Sequence, residues 1–192
     1  MEYSTQHDEA LMQAYARGEV AAFEALYGRH KGAVYRYISR QVSDQDMARD
    51  LYQDFWSRII RSAPTYTPSA KWTTWAYRIA HNLIVDHYRS LKPVEPETDA
   101  PSPGSPHGAH ENRVLAEQLT TCMEKLPATQ REIFLLSQET DLSLLMIAEV
   151  VSASHEAVKS RLRYARNALK ECLSRVGAWP ASTADKGGMG NE

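Results

Sequence analysis

The chain has 192 residues, 43% of them hydrophobic and 24% charged, and a formal net charge of −2. These values fit one medium domain or two small ones with an apolar core, and they exclude a low-complexity chain and a uniformly basic polyanion binder. No run reaches the ~18 consecutive apolar residues of a membrane helix, the polar start MEYSTQHDEA is unlike a signal peptide, and the cytoplasm is the expected location.

Helical spacing begins at once. Asp8 to Arg17 opens with acids and closes on Arg-Gly, so a helix stopped by Gly18 is predicted. Phe23, Leu26, Tyr27, Val34, Tyr35 and Ile38 then recur at helical intervals. Ser43-Asp44 offers N-cap chemistry for a third helix, whose Met47, Leu51, Phe55 and Ile59 sit four apart and make one buried face. Pro64 and Pro68 place a loop after it, and a fourth helix runs from about Trp72 to Arg89. On that helix Trp75, Ile79 and Leu83 form one stripe with Asp86, while Lys71, Arg78, Asn82 and Arg89 form a separate polar face. Tyr66, Lys71 and Trp72 crowd its start. Aromatic rings beside cations suit unstacked single-stranded bases, because rings stack on bases and cations hold the backbone. Tryptophans at helical spacing also suit a core: Trp75 reads as a core residue, and Trp72 fits either role. Asp86 and His87 are adjacent and so point about 100° apart on a helix, which leaves no catalytic signature here.

Lys92 to Glu111 breaks the pattern with five prolines, two glycines and only Val94 as a large hydrophobe. Such a segment cannot bury enough apolar surface to offset its ordering entropy, and it is expected to be an acidic, extended linker. Helical spacing resumes at Val114, Leu115 and Leu119, breaks at Leu126-Pro127, and continues through Ile133–Leu136. Two shorter helices are predicted at about 143–151 and 155–173. The tail from Gly177 is polar and Gly-rich, and is expected to fray. The resulting fold class is all-α: two small helical domains, residues 1–91 and 112–176, around a linker at 92–111, with a tail at 177–192.

The last helix pair carries the strongest physical signal. Ser143 can cap the first helix, Val151–Ser154 makes a short turn, and small Ala148 would let the helices cross closely. On the second helix Val158, Leu162, Ala165 and Leu169 form a stripe to be buried. Lys159, Arg163, Arg166 and Lys170 repeat it one residue later, to be exposed. This is helix-turn-helix patterning, with the second helix free to enter a major groove. Local charge agrees: residues 154–176 hold six Lys/Arg against Glu156 and Glu171, whereas 112–153 hold three basic and six acidic residues. By itself, such a stripe also describes a solvated amphipathic helix. Cys122 and Cys172 lack CxxC or His-rich neighbours at ligand spacing. They are expected to be reduced, partly buried thiols, with no zinc and no disulfide.

Together these segments resemble the extracytoplasmic-function sigma factors of bacterial RNA polymerase. The resemblance covers roughly residues 8–91 and 112–176. It is carried by Asp50-Leu-Tyr-Gln-Asp-Phe-Trp56, by Trp75-Ala-Tyr-Arg-Ile-Ala-His-Asn-Leu-Ile-Val-Asp-His-Tyr-Arg89, by Leu126-Pro-Ala-Thr-Gln-Arg-Glu-Ile-Phe-Leu-Leu136, and by Leu142–Val151 with Ala157–Leu169. It implies a first domain that binds the coiled coil of the polymerase largest subunit and melts and reads the minus-ten element. The contact residues would be Asp46, Arg49, Asp50, Gln53 and Asp54, and Asn82 with the Tyr66–Trp72 loop would hold a flipped base. Lys71, Arg78 and Arg89 share that polar face. The second domain would meet the polymerase flap and read the minus-thirty-five element with His155, Lys159, Ser160, Arg161, Arg163, Tyr164 and Arg166. No cofactor, metal or enzymatic activity is implied, and an anti-sigma factor or other regulator is a candidate partner.

The chain departs from the family pattern at four places. Arg49 replaces an acid on the expected polymerase face. Met146 stands where a Glu completes the capping box, Ser152 where the turn has Gly, and Glu156-Ala157 where the recognition helix starts Gly-Thr. A stand-alone helix-turn-helix regulator is the alternative function, but it leaves the first domain unexplained. A recombinase-type enzyme lacks a nucleophile with placed partners, a phosphate loop or a metal cluster.

Overall fold

The computed structural model describes residue 3 and residues 5–42, 44–91 and 110–176, with the side chains of 110–115 excepted. Among these residues every regular element is helical: α1 (Asp8–Ala16), α2 (Val20–Ser39), α3 (Gln45–Ser62), a 3-10 turn (Ala63–Thr65), α4 (Trp72–Leu91), α5 (His110–Glu124), α6 (Ala128–Glu139), α7 (Leu144–Val150) and α8 (His155–Arg175). The expected linker lies outside the described residues except for His110 and Glu111, which already belong to α5. The tail from Gly177 lies outside them entirely.

Local chemistry sets the helix ends. Gly18 ends α1 at φ +98°, a conformation that costs glycine nothing. Asp44 caps α3 by accepting from the Asp46 and Met47 amides. Ser143 and Ser154 cap α7 and α8 by accepting from Met146 and Ala157. The Ser143 bond, at 3.3 Å, forms without the Glu of a capping box. Ser152, in the turn between α7 and α8, has φ +51°.

Helices α1–α4 make one bundle and α5–α8 a second. Leu26, Phe55 and Ile59 are fully buried in the first, and Ile133, Leu135 and Leu136 are buried in the second. Each such side chain contributes roughly 1.5–3 kcal/mol by leaving water. The bundles meet where α7 lies on α4 and α6 on α2. At that seam Tyr37 and Tyr77 pack with ring centroids 5.3 Å apart, both almost fully buried.

Cys122 on α5 and Cys172 on α8 form a disulfide, so the expectation of two free thiols is corrected. They lie 50 residues apart in sequence, but α5 packs along α8 and brings their Cα atoms to 5.8 Å. In the chain-entropy picture a loop of this size adds roughly 4 kcal/mol to the stability of the bundle.

Candidate nucleic-acid and polymerase interfaces

The basic stripe of α8 is built as its periodicity requires. Val158, Leu162, Ala165 and Leu169 are buried, and Lys159, Arg163, Arg166 and Lys170 are exposed. His155 and Tyr164 are also exposed, while Ser160 and Arg161 are half-buried at the margin. The Arg163 guanidinium lies over the Tyr164 ring at 5.2 Å, which holds two flat groups together at the solvent face. α8 follows α7 through Val151–Ser154, and the Ala153 amide bonds back to the Ala148 carbonyl at 3.0 Å. Buried Ala148 permits that close return. The pair is a helix-turn-helix with the cationic face of its second helix open to solvent.

The polar face of α4 is also exposed at Lys71, Arg78, Asn82 and Arg89. Its aromatic neighbours differ from expectation. Trp72 is fully buried against His30, with ring centroids 4.6 Å apart, and so is a core residue in this structure. A base could stack on it only after local rearrangement. Trp75, expected in the core, is only partly buried, and its ring lies 5.0 Å from that of Tyr66. Burial, then the charges of Glu9 and Asp8, push the Tyr66 hydroxyl up to about 12, and that hydroxyl is buried without a hydrogen-bond partner among the described residues. The Tyr66–Trp75 pair therefore supplies the aromatic surface beside Lys71 and Arg78.

The exposed face of α3 presents Asp46, Arg49, Asp50 and Gln53, with Asp54 half-exposed. Arg49 pairs with Asp46 one turn earlier, and Asp54 pairs with Arg58 and Arg61. The basic departure at 49 is thus partly neutralised within its own helix, leaving Asp50 as the acid of the set without an ion pair among the described residues.

Sequence reasoning missed the acids that face α2 and α4 from the second bundle. Glu132 on α6 accepts from Tyr37 at 2.8 Å and meets His81 Nδ1 at 2.6 Å. Two turns on, Glu139 binds Arg36 and Arg40, each at 2.7 Å. Arg78 donates to the Glu149 carbonyl at 3.2 Å, and Lys71 lies 3.8 Å from the Asp141 carboxylate. Two cations of the α4 face are therefore engaged by α7 and the segment before it. The spacing of Glu132 and Glu139 on one face of α6 was visible in sequence; their partners were not.

No described helix is long and apolar enough to cross a membrane. Among the described residues no cluster has the ligands of a metal site.

Residues 26–93 match the family described as Sigma-70 region 2, and residues 116–169 match Sigma-70, region 4. The chain is 32% identical over 173 residues to the ECF RNA polymerase sigma factor SigK of Mycobacterium sp. (strain KMS), covering 86% of this chain and 90% of the relative. It is 27% identical to the ECF RNA polymerase sigma factor SigW of Bacillus subtilis (strain 168), covering 82% and 91%. Among solved structures, CnrH in complex with the cytosolic domain of CnrY is similar in fold, with TM-score 0.66, 23% identity and coverage of 88% and 97%. The sigma factor RpoE in complex with the anti-sigma factor NepR from Bartonella quintana is similar too, with TM-score 0.63, 22% identity and coverage of 79% and 96%.

Proposed function

The chain belongs to the extracytoplasmic-function sigma factors of bacterial RNA polymerase, and from that membership we propose how its surfaces divide the work. The protein binds core RNA polymerase and directs promoter-specific initiation, a non-catalytic role carried out in the cytoplasm. The exposed α3 face around Asp46, Asp50 and Gln53 meets the coiled coil of the largest subunit. The α4 face reads and holds the melted minus-ten strand. Asn82 can both donate and accept at a base edge, Tyr66 and Trp75 offer rings to it, and Lys71, Arg78 and Arg89 lie along the backbone path. The α8 stripe enters the major groove at the minus-thirty-five element, and the second bundle also contacts the polymerase flap. Residues 1–91 and 112–176 act as the two functional units.

The observation that carries this reading is the presence of two exposed faces bearing cations, one on α4 and one on α8, on two separate bundles. A stand-alone regulator accounts for residues 140–175, the α7–α8 pair, and leaves the first bundle unexplained. In the arrangement seen here α7 and the segment before it engage Arg78 and Lys71 of the α4 face, so use of those two cations at the minus-ten element is favoured when the bundles part. An anti-sigma factor that stabilised the docked form would silence the protein. Run-off transcription with purified core polymerase tests the reading. Initiation should appear at a subset of promoters only when the protein is added. Tight binding to DNA without any binding to core polymerase would favour the regulator.

A further inference from the structure

The Sigma-70 region 2 match begins at residue 26, so α1 stands ahead of it without an assigned task. The first turn of α1 is engaged with the start of α4. Glu9 Oε1 accepts the Trp72 backbone N–H at 2.6 Å, across 63 residues of sequence. Trp72 is the first residue of α4, and its predecessor Lys71 has no side-chain acceptor with which to cap that end. The cap comes instead from another helix, and its negative charge suits the helix N-terminus. Beside it Asp8 pairs with Arg29 and bonds to His30 at 2.7 Å, and the His30 ring packs on Trp72. α1 also packs on the 3-10 turn that opens the loop before α4. The loop from Tyr66 to Lys71 is therefore held at both ends by α1 or by residues that α1 holds.

We propose that α1 is a positioning strut for the promoter-reading loop, and that Glu9 is a positioning residue for base selection at the minus-ten element. The inference rests on the reading of the α4 face given above. Glu9 does not touch the base. It fixes the start of α4, and with it the placement of Tyr66, Lys71 and Trp75, so that the binding-competent loop is the populated one. Apparent affinity falls in proportion to the competent fraction.

The test uses holoenzyme assembled from core polymerase and the full chain. Permanganate reactivity of the opened strand and selection of minus-ten and minus-thirty-five sequences are measured together. Glu9→Ala should lower open-complex yield by roughly 5–30-fold, the loss of one such bond, and should broaden base preference at minus-ten only. Glu9→Gln, which keeps an acceptor oxygen, should restore most of the preference. If Glu9→Ala fails to fold, Glu9→Asp shortens the reach in a folded protein and should still broaden selection. Wild-type minus-ten preference in a folded Glu9→Ala or Glu9→Asp holoenzyme would overturn the proposal and leave Glu9 a plain stabilising residue. Failure of the parent reading looks different: Asn82→Ala would then also leave minus-ten selection unchanged.

Discussion

At the scale of single residues, two positions carry measurable consequences. Ser152 holds φ +51° in the turn of the helix-turn-helix. A residue with a Cβ loses roughly 1–2 kcal/mol there, while glycine adds entropy to the unfolded chain. Ser152→Gly should therefore stabilise the second bundle by about 0.5–1 kcal/mol, read as a higher thermal midpoint. A lower midpoint would show that the serine side chain makes a compensating bond. Asp8 is the other position. Burial works to raise its carboxyl, but His30 and Arg29 outweigh that effect and hold it below its ordinary value. A carboxyl depressed in the folded state adds stability above its unfolded pKa, and that stability is lost as pH falls through the folded one. Asp8→Asn should thus cost on the order of 1 kcal/mol near neutrality, allowing for partial exposure. It should cost little once the pH is well below ~4. Denaturant midpoints of both proteins across that range check the sign. A deficit that persists at low pH would mean that shape rather than charge is at stake.

At the scale of elements, α8 should separate base readers from phosphate anchors. Lys159, Arg163 and Tyr164 follow the turn closely, and a recognition helix reaches base edges mainly with its N-terminal half. Arg163→Ala should cost roughly 1–3 kcal/mol on the preferred minus-thirty-five sequence and relax specificity there. Lys170→Ala, two turns on, should cost less, about equally on all sequences. Sequence selection by each variant distinguishes them, and unchanged base preference in Arg163→Ala would make it a phosphate contact. The two stripes behind this prediction were legible in sequence because large apolar residues and cations alternate cleanly at helical spacing. On α4 the phase was less legible. The buried line runs Trp72, Ala76, Ala80 and Leu83, and its alanines give a weak hydrophobic signal. The stripe through Trp75 and Ile79 stood out instead, although both residues are only partly buried. Trp72 stands at the helix start beside a Pro-rich loop, a position that fits either a core or a site role in sequence, and only the packing of α1 and α2 against it decides for the core. The Cys122–Cys172 bond and the Glu9 cap depend on which helices become neighbours, and spacing along the chain does not carry that information.

At the scale of the molecule, the two bundles are joined by contacts between residues 51 to 103 apart in sequence, with Glu132 and Glu139 on α6 meeting Tyr37, His81, Arg36 and Arg40. Removing both charges, Glu132→Gln with Glu139→Gln, should weaken the docked form by roughly 1–3 kcal/mol, since the pairs are only partly screened. Fluorescence energy transfer between dyes on α2 and α8 should then report a longer mean distance. An unchanged distance would show that apolar packing of α7 on α4 suffices.

Because both partners in this docking sit on one chain, dilution cannot separate them. The docked fraction is an intrinsic constant of the protein, the same in a cell that makes few copies as in one that makes many. Where opening must precede assembly, the apparent dissociation constant for core polymerase is the intrinsic one divided by the open fraction. A chain that is ~99% docked competes for a limited pool of core polymerase as if about a hundredfold scarcer. The seam between α4 and α7 would in this way set the rank of the protein among rival initiation factors, and any event that loosened it would promote the protein in that contest without new synthesis.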